Sequence, residues 1–401
     1  MLKEKIKDFC HAFSIVLFGF FILFIADFII GIFSKDNNIN IIEKFFTLDA
    51  YWYESIVKDG YMKFSDGDPN NKSFVLYSNN GMANWAFFPL LPLVIKIIMT
   101  MTFNMISIEN VAFMFSSVCF VFVIYNLIRY LKEKNIDIKY NLIFLIFLFN
   151  PAMMFFYTLY TESLTMLLII LLIRACDKKK YLAGGLLCSL LSFIKVQGSF
   201  WCIYLFIKVF KENYIKGKNA FFSIFLTLKK IVKNPICFLS ICLSPLGLFS
   251  FLLILKSFDL HVLSFYHIQS AWGKENGFFL YTIFKGLFVY TNIEAAFCVF
   301  YIIFVIYLFV KKKYLSFTML SIYLLSSTTS SVASVTRYMI GSVIFPLELY
   351  FYLLKNINLG KTKIVQNFKN ISISIMFYFY KLVFVPIIIA IFLLGGIPLL
   401  Y

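Results

Sequence analysis

Residues 49–92 read DAYWYESIVKDGYMKFSDGDPNNKSFVLYSNNGMANWAFFPLLP. Asp49, Glu54, Asp59, Asp66 and Asp68 are five of only 20 acidic residues in the 401-residue chain. The rest is strongly apolar: 61% hydrophobic and 14% charged, with a mean hydropathy of +0.85. Soluble domains run at about 45–50% apolar and about 25% charged. The composition is that of an all-α polytopic membrane protein, and an acidic island within it marks a segment that meets water. The 52 Phe and 25 Tyr reflect a nucleotide-biased genome as much as any site.

A formal charge of +17 suggests nucleic acid in a soluble protein. Here the basic residues fall in short bursts between apolar runs, as in cytoplasmic membrane loops, so no nucleic-acid partner is expected. The bursts are Lys3/Lys5/Lys7, Arg129 to Lys139, Arg174 to Lys180, Lys208 to Lys233, Lys311 to Lys313 and Lys355 to Lys369. If all face the cytoplasm, the number of crossings between successive bursts is even. The N-terminus is then cytoplasmic. The first apolar run exceeds the about 7–15 residues of a signal-peptide core and is expected to stay attached. Most of the eight cysteines lie inside apolar runs without metal-ligand spacing, and three histidines make a His-based metal centre unlooked-for.

A span needs about 20 apolar residues. Parity then predicts about eleven crossings in a single domain, 1–401, at 9–33, 108–130, 138–150, 162–176, 181–197, 199–210, 236–256, 292–310, 314–330, 338–354 and 371–398. Residues 34–107 form a large first extracytoplasmic loop. Within it AFFPLLPLVIKIIMTM, 86–101, is read as an interfacial helix with its apolar face, including Phe88 and Leu91, toward the outer leaflet. Residues 150–161 and 257–291 are further outer segments, and 211–233 is a basic amphipathic segment on the inner surface. Parity places Asp49, Glu162, Lys195, Gln197, His267, Gln269, Trp272 and Arg337 on the outer side, Arg337 in a turn beside Thr336, where they are expected to line one cavity. Ionisable groups at membrane depth cost about 2.5–3.5 kcal/mol on insertion scales, which favours a functional role for each. Carboxylates mixed with Lys and Arg suit a reaction that needs a base and a bound anion, phosphate above all. DGDPNN, 66–71, lacks the bidentate Glu of an EF-hand.

LDAYWYESIVKDGY (48–61) followed by WAFFPLLPLV (85–94) resembles the WDAxxYxxIAxxGY…FFPxxPL signature of the PIG-V family, the GPI mannosyltransferase 2 group with its bacterial relatives. NPAMMFFYTLYTESL (150–164) is similar to its NPAxxFxxxYTESL, LLSFIKVQG (190–198) sits where the family has RSNG or TRxxG, and FYHIQSAWGK (265–274) resembles the FxxxQxxWGR of bacterial members. Leu48 stands where the family has Trp, and Lys195 where it has Arg.

The resemblance implies a GT-C glycosyltransferase moving a hexose, mannose in the best-known members, from a polyprenyl- or dolichyl-phosphate donor to a glycan or glycolipid acceptor. It also implies an acidic residue in the first outer loop near the catalytic centre. Inverting transfer needs a carboxylate to take the acceptor proton and cations to hold the departing phosphate. The expected roles are Asp49 as base, with Glu54 and Glu162 as competitors, Glu162 as second acid, and Arg337 and Lys195 on the donor phosphate. Gln269, Trp272, Gln197, His267 and Tyr53 are expected on sugar or acceptor. Capping competes for Asp49 and Glu162. No cofactor is required by this chemistry, and a divalent cation is not indicated. The last motif leans toward a bacterial plasma membrane, with the endoplasmic reticulum as alternative. A flippase of lipid-linked sugars and a non-catalytic subunit of a glycosylation complex are the competing classes.

Overall fold

The computed structural model describes residues 2–34, 42, 46–63, 82–148, 150, 152–272, 277–289, 292–329, 331–332 and 334–359. It is 79% helix, with no strand among the described residues. In hydrocarbon no water satisfies the backbone, so a spanning segment closes its own hydrogen bonds as a helix. Four described helices are long and apolar enough to cross a membrane: Leu2–Ile25, Ile108–Glu133, Pro235–Ser257 and Ile293–Val310. A fifth crossing results if Val335–Gly341 and Ile344–Lys355, bent by 74°, form one span. Five further segments expected as spans contain helices shorter than a crossing needs: Tyr140–Leu148, Glu162–Asp177, Tyr181–Ser192, Trp201–Asn213 and Tyr314–Thr328. The expected span 371–398, and Asp66, Asp68 and DGDPNN, lie outside the described residues.

The chain divides into two compact units. The first comprises Met1–Thr47, Ala112–Thr158 and Phe278–Tyr401, and the second Leu48–Val111 and Leu159–Gly277. In the first unit, Leu2–Ser34 and Ile108–Glu133 pack antiparallel. Asp8, fully buried, accepts from Arg129 Nη1 at 3.2 Å and Lys132 Nζ at 2.7 Å, while Phe20 meets Phe113 at 5.1 Å. His11 stacks on Tyr140, Tyr350 Oη donates to the Asp137 carbonyl at 2.8 Å, and Lys313 pairs with Glu348. These contacts draw the bursts at Lys3 to Lys7, Arg129 to Lys139 and Lys311 to Lys313 to one end of the unit. In the second unit Lys208 binds Asp177 at 2.7 Å and Lys179 binds Glu212, which joins the bursts at Arg174 to Lys180 and Lys208 to Lys233 in the same way. Within each unit, then, the bursts among the described residues share an end.

The second unit is built on a close helix crossing. A Cβ on Gly185 would lie 2.4 Å from the Ser240 carbonyl oxygen, and one on Gly247 would lie 1.9 Å from that of Ser189. Small residues let backbones approach in this way where lipid offers no hydrophobic drive. Gly247→Ala is therefore expected to force the helices apart and cost about 1–3 kcal/mol, read as a lower melting midpoint in detergent.

The Ala220–Lys233 helix turns Ser223, Thr227 and Ile231 inward, where Ser223 Oγ accepts the Gly217 N–H at 2.7 Å and Thr227 Oγ1 the Ile215 N–H at 3.0 Å. Phe221, Phe225, Leu228 and Val232 are exposed on another face, and Lys229, Lys230 and Lys233 are exposed beside them. Asn234 ends this helix and caps the next through the Ile236 and Cys237 amides, so the basic helix abuts the Pro235–Ser257 span directly.

Two readings change, and two segments read as outer gain local structure. Phe88 and Leu91 do not face lipid: they are 2% and 0% exposed, and the Phe88 ring packs tilted against Phe251 at 4.1 Å, while Leu93 and Ile97 of the Leu90–Met101 helix point outward. Residues 152–161, expected as an outer turn, form a buried turn around the Met153–Phe156 3-10 helix. The 257–291 segment contains a further helix, Phe279–Phe288. Thr336 and Arg337 are not in a turn but in the buried helix Val335–Gly341, and the helix expected from 338 begins afresh at Ile344, because Val343 adopts φ 59° and breaks it.

Candidate functional site

Of the eight polar outliers, seven fall in the second unit and Arg337 in the first. Within the second unit the sequence motifs are tied together. Asp49 opens the Asp49–Asp59 helix as its first helical residue, a position where a carboxylate meets the positive end of the dipole. It is not the N-cap: Leu48 is, at φ 55° and ψ −114°. A non-glycine residue held there stores about 1–3 kcal/mol of strain, of the kind that clusters at functional sites. The Asp49 amide donates to Tyr160 Oη at 3.2 Å, which links the first-loop motif to the YTES segment 111 positions away.

Two residues beyond Tyr160, Glu162 opens the Glu162–Asp177 helix. Its carboxylate receives Lys195 Nζ at 3.2 Å, and both residues are buried. Lys195, expected on a phosphate, is thus held on a carboxylate from the neighbouring motif. Glu54, the other competing base, pairs with Lys58 one turn on. That ion pair raises the Lys58 pKa.

Asn84 locks the first-loop helix to the FFP segment. Fully buried, it donates to Ser55 Oγ at 2.9 Å and the Gly60 carbonyl at 3.0 Å, and its Oδ1 accepts the Met62 N–H at 3.1 Å. Trp85 Nε1 donates to the Met62 carbonyl at 2.7 Å, and the Tyr61 hydroxyl to the Phe87 carbonyl at 2.7 Å. Burial pushes the Tyr61 hydroxyl well above the usual tyrosine range, so it stays a neutral donor. Asn84→Ala removes three hydrogen bonds from a buried position and is expected to cost about 3 kcal/mol, checked by thermal unfolding against wild type.

One apolar cluster seats the remaining motifs. Ile56, Tyr61, Trp85 and Phe88 pack with Phe251, Leu255 and Ile268, and Phe193, Phe265 and Ala271 lie against them. The Leu90 amide donates to the Phe193 carbonyl at 3.2 Å, which joins the FFP and SFIK segments. Tyr53, expected on sugar, is buried with its ring edge-on to Phe87 at 5.1 Å. Gln197 is half-buried in the helical turn Val196–Ser199. Gln269 Nε2 reaches the Phe265 carbonyl at 3.4 Å, His267 is exposed beside Tyr266, and Trp272 ends the Ile268–Trp272 turn.

In the first unit Arg337 is buried, its guanidinium 5.2 Å from the Phe155 ring and 5.0 Å from the Tyr338 ring. Its Nη2 donates to Tyr338 Oη at 3.1 Å. Phe155 comes from the NPAMMFF half of its motif. The preceding residue, Thr336, is bound by a carboxylate that the sequence reading overlooked, Glu294. Its signal was a lone acid at the head of an otherwise apolar run. Tyr160 and Asn84 were also missed, though both stand inside or beside quoted motifs. Among the described residues no three His, Cys, Asp or Glu side chains gather as a metal would need. Comparison of the chain with family models, curated proteins and solved structures finds no match, so the resemblance to the PIG-V family rests on its four sequence motifs.

Proposed function

We propose that the chain is a GT-C type membrane hexosyltransferase of PIG-V kind, with about eleven crossings and a cytoplasmic N-terminus. It moves a hexose, mannose by resemblance, from a polyprenyl-phosphate donor to a glycan or glycolipid on the extracytoplasmic face of a bacterial plasma membrane. The observation that carries this reading is the meeting of the motif segments in the second unit: Asp49 on Tyr160, Glu162 on Lys195, and the first-loop, FFP and FYHIQ segments on one apolar cluster. Residues far apart in a chain are drawn together around buried ionisable groups where those groups have work to do.

In the proposed reaction the acceptor hydroxyl oxygen attacks the anomeric carbon of the donor. The bond from that carbon to the phosphate oxygen breaks, and its electron pair stays on the phosphate. Asp49 takes the hydroxyl proton. Glu54 pairs with Lys58, and Glu162, paired with Lys195, is assigned to framing the site. Arg337 is assigned to the departing phosphate, for which the planar fork of a guanidinium is suited. Gln269, Gln197 and Trp272 are assigned to sugar hydroxyls and ring.

One observation favours a flippase of the same lipid: the broken helix at Arg337, bent by 74°, is a form common in transporters. Sealed proteoliposomes separate the readings. With radiolabelled polyprenyl-phosphate mannose and an acceptor lipid extract, transfer leaves label on a new product, whereas flipping moves intact donor between leaflets. Movement without any new product would reject the transferase reading.

A further inference from the structure

Glu294 lies in the first turn of the Ile293–Val310 span and is 3% exposed. Its Oε2 accepts two hydrogen bonds from one residue, the Thr336 amide and the Thr336 hydroxyl, each at 2.9 Å. Thr336 immediately precedes Arg337. The helix that carries both, Val335–Gly341, is buried apart from Tyr338 and is joined to its neighbours in the chain by sharp breaks. Ser334 before it adopts φ 65° and Val343 after it φ 59°, both left-handed at non-glycine residues, and the next helix departs at 74°. Its orientation is therefore set by side chains rather than by continuity of the chain.

Glu294 is itself anchored. Its amide donates to Asn292 Oδ1 at 2.8 Å, and the Asn292 amide donates to the Gly286 carbonyl at 2.8 Å. At Gly286 a Cβ would stand 2.9 Å from the Ala295 Cβ and 3.1 Å from Val332. An unbroken series of contacts thus runs from the packed Gly286 through Asn292 and Glu294 to Thr336, the neighbour of Arg337. A carboxylate at membrane depth is costly, and a plain hydroxyl would fill a capping role at lower cost. Two hydrogen bonds accepted by one oxygen from the same residue fix both the backbone and the side chain of Thr336.

We infer that Glu294 is a positioning residue for the anion-binding arginine: it fixes Thr336, and through it the direction in which Arg337 presents its guanidinium to a phosphate monoester. The inference rests on the reading of Arg337 as the donor-phosphate ligand. The test measures binding of undecaprenyl monophosphate to the purified full-length protein in detergent, with affinity expressed per folded molecule. Arg337→Ala and Glu294→Ala are expected to weaken binding by about tenfold or more, and Thr336→Val by about threefold. Glu294→Gln, whose amide oxygen accepts the same two bonds, is expected to stay within about threefold of wild type.

A purely structural Glu294 would lower the yield or melting point of the Ala variant while its folded fraction bound normally. That result, or wild-type affinity in Thr336→Val should Glu294→Ala fail to fold, overturns the inference while leaving Arg337 as ligand. Absence of binding by the wild type, or unchanged binding in Arg337→Ala, overturns the reading of Arg337 and the inference with it.

Discussion

Asp49→Asn is expected to yield a folded, membrane-inserted protein whose transfer rate is lower by about 10²–10⁴, the range a positioned general base contributes. Asparagine matches aspartate in shape, and the contact that seats residue 49 on the YTES segment runs from its backbone amide to Tyr160 Oη, so the substitution leaves that contact in place. What the substitution removes is the negative charge of the carboxylate and its capacity to accept a proton. The loss is expected in kcat, with the donor KM little changed, because the carboxylate acts on the acceptor hydroxyl in the transition state. Tyr160→Phe, which removes the partner of the Asp49 amide, is expected to fall between the two. Wild-type turnover in Asp49→Asn would reject Asp49 as the base and turn attention to Glu162.

The second large effect is on stability. Glu162 and Lys195 form a 3.2 Å ion pair in which both side chains are nearly withdrawn from solvent. Breaking such a pair from one side leaves an uncompensated buried charge, which costs about 3–5 kcal/mol, whereas replacing both partners with apolar groups of similar volume is often neutral. Lys195→Met is accordingly expected to lower the melting midpoint steeply, and Glu162→Leu/Lys195→Met to recover most of the loss while remaining inactive. Equal destabilisation in the single and double variants would show that the pair contributes packing rather than charge balance. A double-mutant cycle on detergent-solubilised protein reads this directly.

The parts of the fold legible in the sequence were those that depend on length and charge. The helices Leu2–Ile25, Ile108–Glu133, Pro235–Ser257 and Ile293–Val310 are long apolar runs, and the basic bursts among the described residues gather at one end within each unit. What sequence hid was which apolar residues face inward. In a soluble protein an apolar residue is informative because water excludes it, but at membrane depth lipid and core are equally apolar. Phe88 therefore looked like a lipid-facing residue and is a core one, while Leu93 five positions on is exposed. The break at Val343 was hidden for a related reason: its cause is a backbone angle at a β-branched residue, with no Gly or Pro to announce it.

The site was legible where motifs carried it. Asp49, Glu162 and Lys195 were all named from sequence, yet their pairing was not, because 33 positions separate the two members of the ion pair and nothing in periodicity joins them. Glu294 was passed over because a carboxylate at the start of an apolar helix reads as an ordinary dipole partner. Only its two bonds to Thr336, 42 positions away, give it another role.

The central claim is that a hexose leaves a polyprenyl phosphate and arrives on an acceptor. The most direct measurement incubates the purified protein with polyprenyl-phosphate mannose and polyprenyl-phosphate glucose, radiolabelled in the sugar, together with a bacterial membrane lipid and glycan extract, and counts label in products and free polyprenyl phosphate in parallel. The account predicts that one donor is consumed, with labelled product and polyprenyl phosphate appearing in equal amounts. Label that stays on the polyprenyl lipid with both donors, in a preparation that binds polyprenyl monophosphate, would contradict it.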